Sequence, residues 1–289
     1  MRNELSSNIW RVFSRYFCKG KFNVANVGSN PALYGFEYEN SDGINLSIGR
    51  SGLDMDMAVL KNYSYLLKKN ATILIPIIPF YSILGDAKDT MLPQERYAFY
   101  KILSRQLCDT MEVFYDIDVK EHISLKKWMK MMRSFIIGKT EIENMDLSCQ
   151  PMTNDELEAD AKRFCENRKK EFQIEDFNEP LTPLNATRRK KSIKHMCALI
   201  NFCKEHNFNP VIVLMPMTEH LLRNMSDTFL ETYVYSFVKP VAQETNTPIM
   251  DYTKDEHLTR DELYCNSLFL NRKGAHMFTK QVLKDIQRL

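Results

Sequence analysis

The sequence predicts an α/β protein built on a parallel sheet, and three observations carry that expectation. Five apolar runs of strand length, each bounded by turn residues, occur at Phe22 to Val27, Ile44 to Ile48, Thr72 to Ile78, Val211 to Met215 and Ile249 to Tyr252. Helical patterns separate several of these runs, which is the spacing of parallel strands joined by crossovers. Finally, Gly28-Ser29 follows directly behind the first run, and in such sheets ligands gather where loops leave the carboxyl ends of strands.

Taken in order, a helix is expected over Asn8 to Phe17, then strand one and its Gly-Ser turn, then strand two ending at Gly49 and Gly52. A helix over Leu53 to Lys69 leads into strand three, whose Pro76 and Pro79 mark its far end. Helical patterns follow over Pro93 to Cys108, Ser124 to Ile137 and Thr187 to His206, then strand four, a helical region within Glu219 to Glu244, strand five, and a last helix over Lys273 to Gln287.

More than a simple crossover separates strands three and four. Residues 85–185 read as an inserted helical segment, either a cap or lid over the strand ends or a peripheral elaboration of a single domain spanning 1–289. Its first part carries Trp128, Met129, Met131, Met132 and Phe135, and its second part, Gly138 to Asn185, is polar and charged. The cluster Arg188-Arg189-Lys190-Lys191 reads as a solvated helix face.

With 289 residues, 44% hydrophobic and 26% charged, the chain is long enough for one sizeable core. A formal net charge of +2, spread along the chain, points to no nucleic-acid surface. The seven cysteines are odd in number and lack paired metal-ligand spacing, so no metal site is expected and the cysteines read as reduced. The N-terminal stretch has no uninterrupted apolar core of a secretory signal, and the most apolar run, Thr72 to Leu84, is too short to span a membrane. These features read as a cytoplasmic protein.

Two blocks carry a more specific signal. The first is Asn26-Val27-Gly28-Ser29-Asn30-Pro31-Ala32-Leu33-Tyr34-Gly35, and the second is Tyr264-Cys265-Asn266-Ser267-Leu268-Phe269-Leu270-Asn271-Arg272-Lys273-Gly274-Ala275-His276-Met277-Phe278-Thr279. Together they resemble the first and last blocks of the SGNH hydrolases, the GDSL-like superfamily. The subgroup in question reads Gly-Ser-Ser-His at the front and Asp-x-x-His-Leu-Asn-x-x-Gly-Ala-x-x-Phe-Thr at the back. The resemblance implies a flavodoxin-like three-layer sandwich with a five-stranded parallel sheet. It also implies ester hydrolysis or acyl transfer, with no cofactor.

Residue by residue, the resemblance places the nucleophile at Asn30, the orienting carboxylate at Asn266 and the base at Phe269. All three positions are changed. A serine hydroxyl needs an imidazole to activate it and a carboxylate to orient that imidazole, and an amide and a phenyl ring supply neither. The pocket positions are therefore Ser29, Asn30, Asn266 and Phe269, with Gly28 in the turn and Gly49 or Gly52 as the backbone oxyanion donor. The asparagine that the family places after strand three is absent from Ile77-Ile78-Pro79-Phe80.

Other residues compete for a catalytic part. Ser29 is one position early and reads first as a turn-forming serine. His257, with Asp251 or Asp255 behind it, and His220, after strand four, are the candidate bases, while His276 faces away and Cys265 reads as a small buried hydrophobe. Three functions follow. One is a degenerate protein of cell-surface glycan metabolism that binds an acylated sugar. Another is an active esterase or acyltransferase using Ser29 with His257 or His220. The third is a structural or interaction module of undetermined oligomeric state.

Overall fold

The computed structural model describes residues 19–39, 41–49, 51–85 and 152–289. Among these, five strands form one parallel sheet: β1 (Phe22–Asn26), β2 (Gly43–Asn45), β3 (Leu67–Ile77), β4 (Asn209–Leu214) and β5 (Ile249–Asp251), in the order β2-β1-β3-β4-β5. This is the flavodoxin-like order that the strand pattern and the family resemblance anticipated. All four strand pairings are parallel.

Helices cover both faces. α1 (Asn30–Gly35) and α8 (Arg272–Ile286) pack together on one side, over a core that includes Val24, Leu74, Val213 and Phe278. On the other side α2 (Leu53–Tyr63), α4 (Pro183–Glu205) and α7 (Ser236–Thr245) lie over Ala25, Ile73, Ile75 and Ile212. β3 alternates these faces along its buried stretch, sending Leu74 one way and Ile73 and Ile75 the other, as a doubly covered strand must. α3 (Asn154–Phe172), α5 (Glu219–Arg223) and α6 (Asp227–Leu230) complete the α-helices among the described residues.

Pro76 sits inside a central strand, where a proline is normally excluded because it has no N–H for the ladder. Leu74 O accepts from Val27 N on the β1 side and Ile77 O accepts from Met215 N on the β4 side. By alternation Pro76 faces β1, whose last ladder residue is Asn26. The missing N–H therefore falls where β1 has already left the sheet.

Several boundaries differ from the sequence expectation. The helix expected over Leu53 to Lys69 ends at Tyr63, because Leu67 already pairs with Phe22 and the chain from Leu67 onward belongs to β3. Ladder pairing overrides the helix propensity of the two lysines. Ladder-like bonds continue past β2, from Leu46 N to Asn26 O and Ile48 N to Gly28 O, so the run to Ile48 follows β1 though its strand geometry ends at Asn45. α3 falls in the polar second part of the inserted helical segment, Gly138 to Asn185, where no individual helix was placed. Its start is a capping box: Glu156 N donates to Thr153 Oγ1 and Thr153 N donates to the Glu156 carboxylate, at 3.3 and 2.8 Å.

The basic cluster is not wholly a solvated face. The Arg189 guanidinium donates to Ser236 Oγ at 2.9 Å and to Thr232 O, and Arg188 lies 5.9 Å from the centre of the Phe172 ring. Lys190 and Lys191 are exposed as expected. The expected helices over Asn8 to Phe17, Pro93 to Cys108 and Ser124 to Ile137, and the Trp128 to Phe135 face, lie outside the described residues. No helix among the described residues is long and apolar enough to cross a membrane.

Candidate functional site

The turn after β1 is built around Gly28, whose φ of +123° lies in the region that favours glycine. A Cβ here would meet the Ala32 side chain at 2.9 Å. Without it, α1 folds straight back over the turn, with Ser29 at its N-cap and Pro31 in its first turn. Pro76 supports the same glycine from below, its ring atoms 3.6 and 3.7 Å from where that Cβ would stand.

Two buried polar groups fix the turn. Asp56, projecting from the buried face of α2, accepts hydrogen bonds from Ser51 Oγ at 2.7 Å, from the Tyr81 hydroxyl and from the Gly28 backbone N–H. Burial pushes its carboxyl up to about 7. The bonds from Tyr81 and Ser51 pull it back, and the Asp54 charge raises it further. On the other side, Asn26 donates to Asn45 Oδ1 at 2.9 Å and Ser47 Oγ at 2.6 Å. Asn45 in turn donates to the carbonyls of Ala32, Leu33 and Phe36 at 3.3, 3.2 and 3.0 Å, which satisfies the end of α1.

This framework sets the sequence-derived positions. The Asn30 amide lies directly over Gly49, where a Cβ would collide with Asn30 Oδ1. Gly52 instead caps α2 and faces Asp54 and the Gly85 carbonyl. Of the two glycines, Gly49 is the one beside the nucleophile position. Ser29 is half-buried and its hydroxyl does not cap α1. The turn-forming role expected of its side chain is therefore not seen.

The last block reaches the same helix from the far end of the chain. Asn266 Oδ1 accepts from Leu268 N at 3.0 Å and Phe269 N at 2.7 Å, so its amide is spent on its own turn. The Phe269 ring stacks on Tyr34, with centroids 5.1 Å apart and planes within 4°. Tyr34 stands one helical turn after Asn30 on the same face of α1. The front and back blocks thus meet across α1, with a phenyl ring at the position that the resemblance assigns to the imidazole. Gly274 is needed where α8 passes the preceding turn, since a Cβ would strike the Leu263 carbonyl and the Leu270 side chain.

The competing bases stand elsewhere. His220 is buried with Nδ1 3.0 Å from Glu158 Oε2 and Nε2 3.1 Å from Asp261 Oδ2, so both ring nitrogens are engaged. His257 is exposed and closes a local turn through its backbone N–H to Asp255. His276 is exposed on α8. Asp251 accepts from Tyr235 OH at 2.9 Å and from Thr253 N at 2.9 Å.

Cys165, Cys197 and Cys203 are free, and burial pushes the thiols of Cys165 and Cys203 up to about 12, which keeps them protonated and unreactive. Cys265 is disulfide-bonded, which corrects the expectation that every cysteine is reduced. No group of three or more His, Cys, Asp or Glu among the described residues is placed to hold a metal ion.

Sequence reasoning missed Asp56, Tyr81, Tyr34 and Asp160. Asp56 had a signal: it is a carboxylate three and four positions before Val59 and Leu60, on the apolar stripe of its helix. Asp160 had none, because its partner lies more than a hundred residues away: Ser267 N and Oγ donate to Asp160 Oδ2 at 3.0 and 2.7 Å.

No family model matches the chain, and no curated protein matches it. Solved structures with a similar fold include protein YXIM of Bacillus subtilis, at 9% identity and a TM-score of 0.46, covering 93% of this chain and 57% of that one. The chain therefore spans little more than half the length of that protein. The psychrotrophic esterase EstA of a Pseudoalteromonas species is similar at 12% identity and a TM-score of 0.40, over 92% of this chain and 97% of the other. A Bacteroides fragilis protein with a provisional acylhydrolase description is similar at 7% identity and a TM-score of 0.45, over 98% and 97%.

Proposed function

We propose that this chain is an SGNH-hydrolase-like protein that has lost ester hydrolysis and binds an acylated sugar of a cell-surface glycan in the former catalytic pocket. One observation carries the reading. The phenyl ring of Phe269, stacked on Tyr34, takes the position assigned to the imidazole, so that position supplies no base. An amide at Asn30 can still donate to an acyl oxygen and accept from a hydroxyl. The Gly49 backbone beside it keeps the close approach that an oxyanion donor needs. The half-buried pair Tyr34 and Phe269 offers an apolar wall of the kind that lines small-molecule sites.

The alternative with Ser29 as an active nucleophile needs His220 or His257 as its base. His220 is committed to two carboxylates, and His257 is exposed in a charged loop. We further propose that 85–185 is an insertion into a single domain, of which α3 docks against the last block through Asp160 and Ser267. Three free thiols support a cytoplasmic place in glycan synthesis, and the disulfide at Cys265 weighs against it, since such bonds are rare in a reducing compartment.

The test is calorimetric titration with O-acetylated and de-O-acetylated forms of one oligosaccharide. The reading expects binding that requires the acetyl group and that Asn30→Ala weakens about tenfold, the worth of one good hydrogen bond. Equal affinity for both forms, or no binding of either, would leave the pocket without this role and favour the interaction module.

A further inference from the structure

Three elements meet at His220, which sits on α5 just after β4. An ionised carboxylate only accepts hydrogen bonds, so a ring held between Glu158 on α3 and Asp261 in the turn Asp261–Leu263 needs a hydrogen on each nitrogen. Only the imidazolium provides both. A second set of bonds joins α5 and α3 to the last block. Thr218, the N-cap of α5, donates through N and Oγ1 to Ser267 O at 3.3 and 2.8 Å, and Ser267 N and Oγ donate to Asp160, two residues along α3 from Glu158.

We infer that His220 is a pH-operated clamp: as the imidazolium it ties α3 to α5 and to the Asp261 turn, and through Asp160 and Ser267 it holds the loop that stacks Phe269 on Tyr34. The neutral ring offers a single N–H, so one carboxylate is left facing a ring lone pair, and that arm lets go. The surrounding charges decide which arm. Lys162 stands 3.2 Å from Glu158 and keeps that carboxylate paired on α3, where Arg163 pairs with Asp160. On α5 itself Glu219 and Arg223 pair with each other, and Arg260 pairs with Glu262 beside the Asp261 turn. Asp261 therefore depends most on the imidazolium, and release begins there.

The sign of the effect follows from the environment. Burial opposes protonation, but the hydrogen bonds to Glu158 and then Asp261, with their charges, outweigh it, and His220 titrates above an ordinary histidine. The clamp's contribution is complete below about pH 6.5, the unperturbed value, and is lost as pH rises through the raised value of the folded protein.

The test combines NMR titration of the His220 ring with hydrogen exchange of the full chain, corrected for intrinsic rates. Peptides over 154–172 and 261–270 are compared with a peptide over 236–245 in α7, which carries neither the clamp residues nor the Asp56 turn. In wild type, His220 should titrate above about 6.5, and protection of the two clamp peptides should fall roughly two- to fivefold between pH 6 and pH 9 relative to the reference peptide. His220→Gln, neutral at every pH, should remove that relative pH dependence. Should this variant fail to fold, Glu158→Gln and Asp261→Asn carry the test, because each should lower the His220 pKa while keeping the ring, with Asp261→Asn loosening the 261–270 peptide more. A His220 pKa at or below 6.5, or clamp peptides whose protection follows the reference at both pH values, would overturn the inference.

Discussion

The two halves of the candidate site are held by different physics. The front half, from Gly28 to Asn30, rests on buried groups: the Asp56 carboxyl takes up the Gly28 N–H, Ser51 and Tyr81, while Asn26 and Asn45 fix the end of α1. The back half, from Tyr264 to Leu270, combines buried bonds such as that from Thr218 Oγ1 to Ser267 O with ion pairs that reach the surface, with Glu158 and Asp261 partly exposed and Phe269 half-buried. The front network is costly to break because it is buried, even though Asn26 Oδ1 has no hydrogen-bond partner in it, whereas partly exposed ion pairs are weak and tunable. The front is therefore a fixed floor, and the back is a wall whose position responds to conditions.

That contrast can be broken first at the floor. Gly28→Ala forces a Cβ into a backbone with φ of +123° and against Ala32, and should cost roughly 3 kcal/mol or more, read as a drop in the urea midpoint. A change of less than about 1 kcal/mol would show that the turn is not rigid.

The floor has its own pH signature. Because the folded-state pKa of Asp56 is raised to about 7 from an unfolded value of 3.8, the folded state binds the extra proton between those values. Its contribution is complete below about pH 4 and is lost as pH rises through about 7, a change on the order of 4 kcal/mol. Denaturation across that range should show stability falling with pH in wild type and a flatter profile in Asp56→Asn. Equal slopes would remove Asp56 from the account.

The wall should yield less. Phe269→Ala loses the stack on Tyr34 and part of a half-buried ring, so about 1–2 kcal/mol is expected. Its larger effect should be on binding of an acylated sugar. The smallest effect belongs to Arg272, which pairs with Glu37 and Glu39 at the surface. Arg272→Ala should leave the thermal midpoint unchanged within error, and a clear drop would mean that the start of α8 depends on this pair.

Much of the fold was legible in the sequence because its determinants are local. Apolar runs such as Val211 to Leu214 and turn glycines such as Gly28 announce strands and their ends without reference to the rest of the chain. α3 was overlooked although Thr153 and Glu156 form a capping box, because its mostly polar sequence buries only Leu157, Ala161, Cys165 and Phe172 and gives a weak apolar period. The meeting of the front and back blocks, where Phe269 stacks on Tyr34, could be anticipated only from the two blocks read together. Asp160 with Ser267 and Glu158 with His220 could not, since the fold alone brings such distant carboxylates to their partners.

The central claim, that the pocket binds without cleaving, is tested most directly by incubating the purified chain with a serine-directed fluorophosphonate and measuring its intact mass. With neither His220 nor His257 free to act as its base, the Ser29 hydroxyl should stay protonated and weakly nucleophilic at neutral pH. The account predicts no adduct at a probe concentration that fully labels an active serine esterase. A stoichiometric adduct that maps to Ser29 and disappears in Ser29→Ala would contradict it, and would make this chain an enzyme with a displaced catalytic group.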